Sequence, residues 1–185
     1  MKNNIYAGRL SDEDAGLFYK VWMGLLDYVN QKHQIEPGLG KITSPKNVNI
    51  QMLLPVRDKL WKDVSVIDEY IKTSNLSADE IDILEGWKNA VRGDFILMKH
   101  LKRYSVLMTT ESSPLLYGVI GIYSTWDEMI PKERLPVAIN CALMPFKGRI
   151  VYDSLLRGGN VTYGSGYKKG FNDAYRSSKG QYGII

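Results

Sequence analysis

The fold is decided by residues 77–100, SADEIDILEGWKNAVRGDFILMKH, where a helical pattern of apolar residues gives way to a strand pattern. Ser77 and Glu80 form the capping box of a helix start, a serine at the cap with a glutamate three residues later. Gly93 is placed to end that helix. The apolar residues between them recur at the spacing of one helix face: Ile81, Leu84, Trp87 and Val91. We therefore expect a helical region over 1–92 and a β-rich region over 93–185, a division compatible with one compact unit.

Two further helices are predicted upstream. The acids of Ser11–Asp14 suit the positive end of a helix dipole, and the segment Glu36–Gly40 is expected to end this first helix. A second helix is expected from near Asn49 to Lys72, in which Pro55 is acceptable in a first turn and would kink the helix if it lay deeper. The first helix carries a wide apolar stripe: Leu17, Phe18, Val21, Trp22, Leu25, Leu26 and Val29.

The β-rich region reads as short strands rich in Val, Ile, Leu and Tyr and separated by turn residues. Phe146–Arg149 is expected to form a hairpin turn, Ser124–Ile130 a helical turn with Trp126 packed inward, and Ser165–Lys179 a closing helix after Val161–Tyr163. The expected strands are Asp94–His100, Tyr104–Thr109, Leu115–Tyr123, Val137–Met144 and Arg149–Leu156. The prediction is an α+β fold with a small barrel-like C-terminal part, since closure removes exposed strand edges. An open sheet packed on helices fits the same pattern.

Composition places the chain among ordinary globular proteins, with 44% apolar and 24% charged residues. The N-terminal residues lack the apolar segment of a secretory signal. The longest apolar runs fall well short of the about 20 residues of a membrane helix. The single cysteine, Cys141, excludes an internal disulfide framework. Together these features predict a cytoplasmic location.

The net charge of +4 is unevenly distributed. Residues 1–92 hold 12 Lys/Arg against 13 Asp/Glu, a net of −1, whereas residues 93–185 hold 12 against 7, a net of +5. Residues 147–185 alone hold 7 Lys/Arg against 2 Asp/Glu. This asymmetry indicates an anionic partner for the C-terminal part.

Motifs for metal, nucleophilic or cofactor chemistry are missing from the sequence. Two histidines and one cysteine cannot supply a zinc site of four ligands, and no G-x-S-x-G elbow occurs. The turn Gly164–Gly170 departs from G-x-G-x-x-G because Lys169 stands where the last glycine is needed. The turn is explained either by the backbone angles that glycine allows or by a phosphate held at a helix start beside Lys168 and Lys169.

The basic C-terminal segment also carries aromatic residues, as surfaces that hold single-stranded nucleic acid do. Tyr167, Phe171 and Tyr175 recur at four-residue spacing, however, and we expect that stripe to pack on the strands. The candidate anion-binding residues are Arg157, Tyr163, Lys168, Lys169 and Arg176.

The segments Leu143–Asp153, Tyr163–Gly166 and Asn172–Tyr175 give the C-terminal part a recognisable pattern. It resembles a group of uncharacterised bacterial proteins with an L-P-F-x-G-x-I-x-Y-D-G core, a glycine turn and a closing helix. The resemblance covers roughly the last 50 residues and implies the fold and a bacterial origin, but no activity. Here Ser154 stands where the core of that group ends in glycine, and Met144 where leucine is common.

Three functional hypotheses follow. The first is a non-catalytic binding or adaptor module without metal, cofactor or membrane, whose basic C-terminal face meets nucleic acid or an acidic protein and whose helices contact a partner or a second copy. The second is an enzyme for a phosphorylated or anionic small molecule, with Asp153 as base and Arg157, Lys168 and Lys169 as anion holders. The third is an interaction protein with an exposed apolar patch on its helices.

Overall fold

The structure is a computed structural model that describes residues 7–45, 48–159, 161 and 163–185. It is an α+β fold with helices in the N-terminal part, a six-stranded sheet and a closing C-terminal helix, as the sequence predicts at this level. The helices are α1 Asp12–His33, α2 Ile50–Lys62, α3 Val66–Thr73, α4 Ala78–Trp87, α5 Trp126–Met129 and α6 Ser165–Tyr182. The strands are β1 Val91–His100, β2 Ser105–Thr109, β3 Leu116–Val119, β4 Val137–Phe146, β5 Arg149–Tyr152 and β6 Arg157–Gly158.

Contacts divide the chain into two compact units. The sheet unit comprises Met1–Ser11, Val91–Met144 and Gly148–Ile185, and the helical unit comprises Asp12–Ala90 and Pro145–Lys147. Within the described part of the chain, no helix combines the length and apolar character that crossing a bilayer requires.

Aromatic side chains from several elements form the core of the helical unit. Trp22 stacks on Trp61 with ring centroids 5.7 Å apart and meets Trp87 edge-on, also at 5.7 Å. Phe18 lies 5.6 Å from Trp87 and 5.8 Å from Phe146. Edge-to-face and offset pairs of this kind add stabilisation beyond the area they bury. The apolar stripe predicted for α1 therefore forms a core, as expected.

The predicted second helix is wrong in one respect, because it is two helices rather than one. α2 ends at Lys62, and Asp63 then takes an extended conformation with φ −144° and ψ 93°. The Asp63 carboxylate accepts a hydrogen bond from the Ser65 backbone N–H at 3.1 Å. An aspartate that bonds the backbone two residues ahead offers the chain an alternative to helical hydrogen bonding, and the apolar periodicity does not register that break.

The predicted capping box is confirmed, whereas the predicted end of that helix is wrong. The Ser77 N–H donates to Glu80 Oε2 at 2.8 Å, and the Glu80 N–H donates to Ser77 Oγ at 3.4 Å. The helix, α4, ends at Trp87, and Gly93 lies inside β1 opposite Cys141 with φ +145°. Glycine suits this position because residues with a side chain rarely adopt that φ angle.

The strands of the sheet follow the order β1-β2-β3-β5-β4-β6, with a further pairing of β1 with β4. β1–β2, β2–β3 and β1–β4 are antiparallel, and β3 runs parallel to β5 at Val119 and Ile150. The predicted hairpin turn between β4 and β5 is confirmed, with Lys147 at φ 48° and Gly148 at φ 72°. Positive φ at both central residues matches the twist of paired strands.

Three of the predicted strand and helix boundaries need correction. The strand expected over Leu115–Tyr123 ends at Val119, and the one expected over Arg149–Leu156 ends at Tyr152, before Ser154 at φ +60°. The closing helix runs to Tyr182 rather than Lys179. The helical turn with a buried Trp126 is confirmed. The short strand expected at Val161–Tyr163 includes Thr162, which lies outside the described residues.

The helix α6 covers one face of β1–β3. Tyr175 and Ser178 are its buried residues, and the Ser178 hydroxyl donates to the carbonyl of Pro114. The Lys99 ammonium sits 4.4 Å above the Tyr175 ring. Beneath Tyr175 lies an apolar cluster of Ile96, Met98, Val106, Met108 and Leu116. β2 is therefore buried along its whole length, because both of its faces are covered.

Candidate functional site

The N-terminal half of α6 brings two of the predicted anion-binding residues together at its start. Gly164 precedes the helix as its cap residue, and the Lys168 N–H donates to the Gly164 carbonyl at 3.1 Å. Lys168 is half-buried and Lys169 is exposed. Both lie within the first two turns of α6, next to the first-turn peptide N–H groups that precede Lys168 and favour anions.

An aromatic cluster lies beside these lysines. The rings of Tyr163 and Phe171 are 4.9 Å apart, and Tyr167 lies 5.9 Å from Tyr163 and 6.5 Å from Phe171. Tyr163 and Phe171 are partly buried against the apolar cluster of the sheet. Tyr167, in contrast, is 69% exposed. This cluster therefore presents one ring largely to solvent.

The three aromatic residues at four-residue spacing on α6 thus differ in how they pack. Tyr175 packs as the stripe predicts, at 5% exposure, and Phe171 packs partly. The packing expected of Tyr167 is wrong, because its ring lies against Tyr163 and Phe171 rather than within the sheet cluster. Spacing identifies which residues share a helix face, but it does not tell where the surface that they pack against ends.

A shallow groove of about 380 Å³ runs along this part of α6 and is almost entirely apolar. Its lining residues are Gly166, Tyr167, Gly170 and Phe171. A Cβ added at Gly166 or Gly170 would meet no atom within 4 Å. The two glycines, four residues apart on one helix face, therefore leave the helix surface beside the two rings open. The sequence analysis missed this groove, and the paired spacing of Gly166/Gly170 and Tyr167/Phe171 is the signal that could have found it.

The other predicted basic residues lie apart from the groove. Arg176 is seven residues after Lys169, so the two share a side of α6 two turns apart. Its guanidinium is 79% exposed and lies 3.8 Å from the Asp173 carboxylate, a separation and exposure at which an ion pair contributes little. Arg157 is exposed on β6 opposite Asn140. The five predicted residues thus form two groups, one on α6 with Tyr163 and one on β6.

The charge of the sheet unit matches an anionic ligand. Its segments hold 14 Lys/Arg against 7 Asp/Glu, a net of +7, whereas the helical unit holds 10 against 13, a net of −3. A groove of about 330 Å³ in the helical unit is lined by Asp79, Asp82, Ile83, Gly86, Pro145, Phe146 and Lys147. A positive net charge attracts anions and a negative one repels them, so the charge distribution favours the sheet unit as the anion-binding one.

Asp153, the base of the enzyme hypothesis, is completely buried. Its exposure is 0%, and its backbone N–H donates to the Ala142 carbonyl at 3.0 Å. A general base must come within hydrogen-bond reach of the proton that it removes. In this conformation no substrate reaches the carboxylate, and the geometry favours a structural role for Asp153.

The histidines make no metal site. His100 Nδ1 lies 2.7 Å from the Ser105 hydroxyl, and Nε2 lies 2.8 Å from the Ile130 carbonyl, so both ring nitrogens are engaged. His33 is exposed in the last turn of α1. Over the residues that the structure describes, no three His, Cys, Asp or Glu side chains lie close enough to hold a metal ion.

Comparison with protein-family models, with curated proteins and with solved structures found no match for this chain. The resemblance to the uncharacterised bacterial group therefore stays a prediction. Ser154 has φ +60°, a left-handed conformation that glycine adopts without steric cost.

Proposed function

We propose that this chain is a non-catalytic binding module whose sheet unit binds nucleic acid through the exposed side of α6. The observation that carries the proposal is the exposed ring of Tyr167 beside Lys168 and Lys169. Proteins that hold nucleic acid combine cations for the phosphates with rings for the bases. The net charge of +7 on the sheet unit supplies the long-range attraction.

We further propose that the strands of the sheet unit close into a small barrel. The support is the strand order, in which β1 pairs with both β2 and β4 and β5 links β3 to β4, so that the pairings return to the first strand. Five-stranded barrels of the oligonucleotide-binding class expose a strand face to their ligands. Here α6 covers β1–β3, and the ligand would meet α6 instead of the bare strands.

The test is the binding of a fluorescein-labelled oligonucleotide, measured by anisotropy at low and physiological salt. Lys168→Glu together with Lys169→Glu should reduce affinity at least tenfold, because two cations become anions at the phosphate-binding surface. The matched control is Lys59→Glu with Lys62→Glu, both exposed in the last turn of α2. The control changes the net charge equally but lies in the helical unit, and should have a much smaller effect.

Equal losses in the two double variants would mean that only total charge matters and would refute the assignment of the site to α6. An absence of binding by the unaltered protein at low salt would refute the proposed function itself. Circular dichroism melting of each variant identifies any loss that comes from unfolding, and both pairs are surface changes for which small shifts are expected.

A further inference from the structure

We infer that the ligand of the α6 face is single-stranded nucleic acid, held with an unpaired base in the groove beside Tyr167 and Phe171. This inference rests on the proposed function and adds the strand state of the ligand and the way in which it is read. It would make the groove, rather than the lysines alone, the element that selects the ligand.

The shape and polarity of the groove fit a base better than a phosphate. Its volume of about 380 Å³ lies in the range of small-ligand sites, which span about 300–1,000 Å³. It is lined by the rings of Tyr167 and Phe171, whose planes are inclined by 37° to each other, and by Gly166 and Gly170, which have no side chain. Flat apolar walls suit the face of a base, which every nucleotide has.

Lys168 is the nearer cation to Tyr167 around the helix and is placed to hold a phosphate next to that base. Lys168 and Lys169 follow Tyr167 directly, and each successive residue turns about 100° around the helix axis. Lys168 therefore lies about 100° around the axis from Tyr167, whereas Lys169, at about 200°, lies on the far side of α6 and reaches the nucleic-acid strand only through its long side chain. A backbone that tracks these cations can turn its base inward over the Tyr167 ring.

Duplex nucleic acid fits this arrangement poorly. Its bases are stacked and paired inside the helix, and extracting one costs a few kcal/mol. A single strand has no pairing to lose. The same lysines would still attract a duplex through its phosphates, so the preference for single strands comes from the aromatic groove.

The two glycines lack an evident structural reason. Neither has a positive φ, and a Cβ at either position would meet open space. Glycine inside a helix is unfavourable relative to alanine, so both residues weaken α6. What they provide is the open groove, which a methyl group at each position would narrow.

The deciding experiment compares Gly166→Ala with Gly170→Ala in one variant against Gly180→Ala. Gly180 is on the same helix, also faces open space and does not line the groove. Both variants should melt at a higher temperature than the unaltered protein. Only the groove variant should lose affinity for oligothymidylate, by about tenfold, whereas its affinity for a duplex of equal length should stay within twofold.

A second pair of variants tests whether the Tyr167 ring contributes to the binding of a single strand. Tyr167→Ala should weaken oligothymidylate binding about tenfold or more, and Tyr182→Ala, which removes a ring 48% exposed at the other end of α6, should change it less than twofold.

Equal affinity of the unaltered protein for single and double strands would overturn the inference and leave the proposed function standing. Full binding by the groove variant, or dimerisation of the unaltered protein through this groove in sedimentation experiments, would also overturn it. Failure to bind either form would overturn both.

Discussion

Ser154 occupies a backbone conformation that is unfavourable for any residue with a side chain. With φ +60°, its Cβ crowds the neighbouring carbonyl, a strain of about 1–2 kcal/mol for an L-residue. Glycine avoids that strain but loses more chain entropy on folding. The position follows β5 and the buried Asp153, so the strain lies next to a part of the chain that has little room to relax.

We expect Ser154→Gly to raise the free energy of unfolding by about 0.5–1 kcal/mol, because relief of strain exceeds the entropic loss. Urea denaturation measures it. Ser177→Gly in the middle of α6 is the control and should lower stability by about 0.5 kcal/mol. A destabilised Ser154→Gly protein would show that the left-handed turn holds the serine through its side chain.

The lowered pKa of Glu80 predicts how the melting temperature changes at acid pH. The Lys20 ammonium, 2.6 Å from the Glu80 carboxylate, and the Ser77 N–H hold its pKa below the ordinary value of 4.5. A carboxyl whose pKa is lowered on folding stabilises the native state above its unfolded pKa, and this contribution disappears as pH falls through the folded pKa. We expect melting temperatures of the native protein to fall below about pH 4.5 more steeply than those of Glu80→Gln. Parallel pH profiles for the two proteins would contradict this role.

At the scale of elements, the Tyr70 side chain of α3 reaches α1 at Gly24. A Cβ at Gly24 of α1 would lie 2.5 Å from the Tyr70 hydroxyl of α3. The Tyr28 and Tyr70 rings lie 5.3 Å apart beside it. The glycine is therefore explained by the space that the Tyr70 hydroxyl fills, unlike Gly166 and Gly170 on α6.

This close approach predicts strong coupling between the two positions. Gly24→Ala alone should destabilise by about 1–2 kcal/mol, because the new methyl displaces the tyrosine. Combined with Tyr70→Phe, which removes the hydroxyl, the alanine should stabilise by about 1 kcal/mol relative to Tyr70→Phe alone, its usual gain in a helix. A double-mutant cycle from chemical denaturation measures the coupling, and additive effects would contradict the proposed clash.

At the scale of the whole molecule, the two units differ in net charge, which is +7 for the sheet unit and −3 for the helical unit. The net value of +4 conceals this separation. It predicts that a polyanion meets the sheet unit first and that the interaction weakens as salt screens it.

The salt dependence gives the number of phosphate contacts. Three contacts to a single strand, from Lys168, Lys169 and Arg176, should give a slope of about −2 in a plot of log affinity against log salt. The affinity should then fall by roughly 20-fold between 50 and 200 mM salt. Anisotropy titrations measure the slope, and Lys168→Glu with Lys169→Glu should bring it to about −0.7, the slope of the one remaining contact. A flat slope in the unaltered protein would leave no role for these cations.

Much of the fold follows from local sequence. Ser77 and Glu80 determine a helix start by pairing with each other across one turn, and Lys147-Gly148 sets a turn by its own backbone preferences. Such interactions span a few residues, so the sequence displays them directly. The break at Asp63 and the placement of Gly93 within β1 were not predictable in this way, because side-chain capping and strand pairing override the apolar period.

The candidate site, too, was predictable from the sequence only in part. The sequence by itself determined that basic and aromatic residues concentrate in the last 39 residues, since charge and residue type need no coordinates. Only the tertiary structure decided that Asp153 is sealed from solvent, that Tyr175 packs while Tyr167 is exposed, and that two glycines open a groove. Burial depends on which distant segment covers a residue. For the aromatic residues of α6, it depends on how far the face of β1–β3 extends beneath the helix.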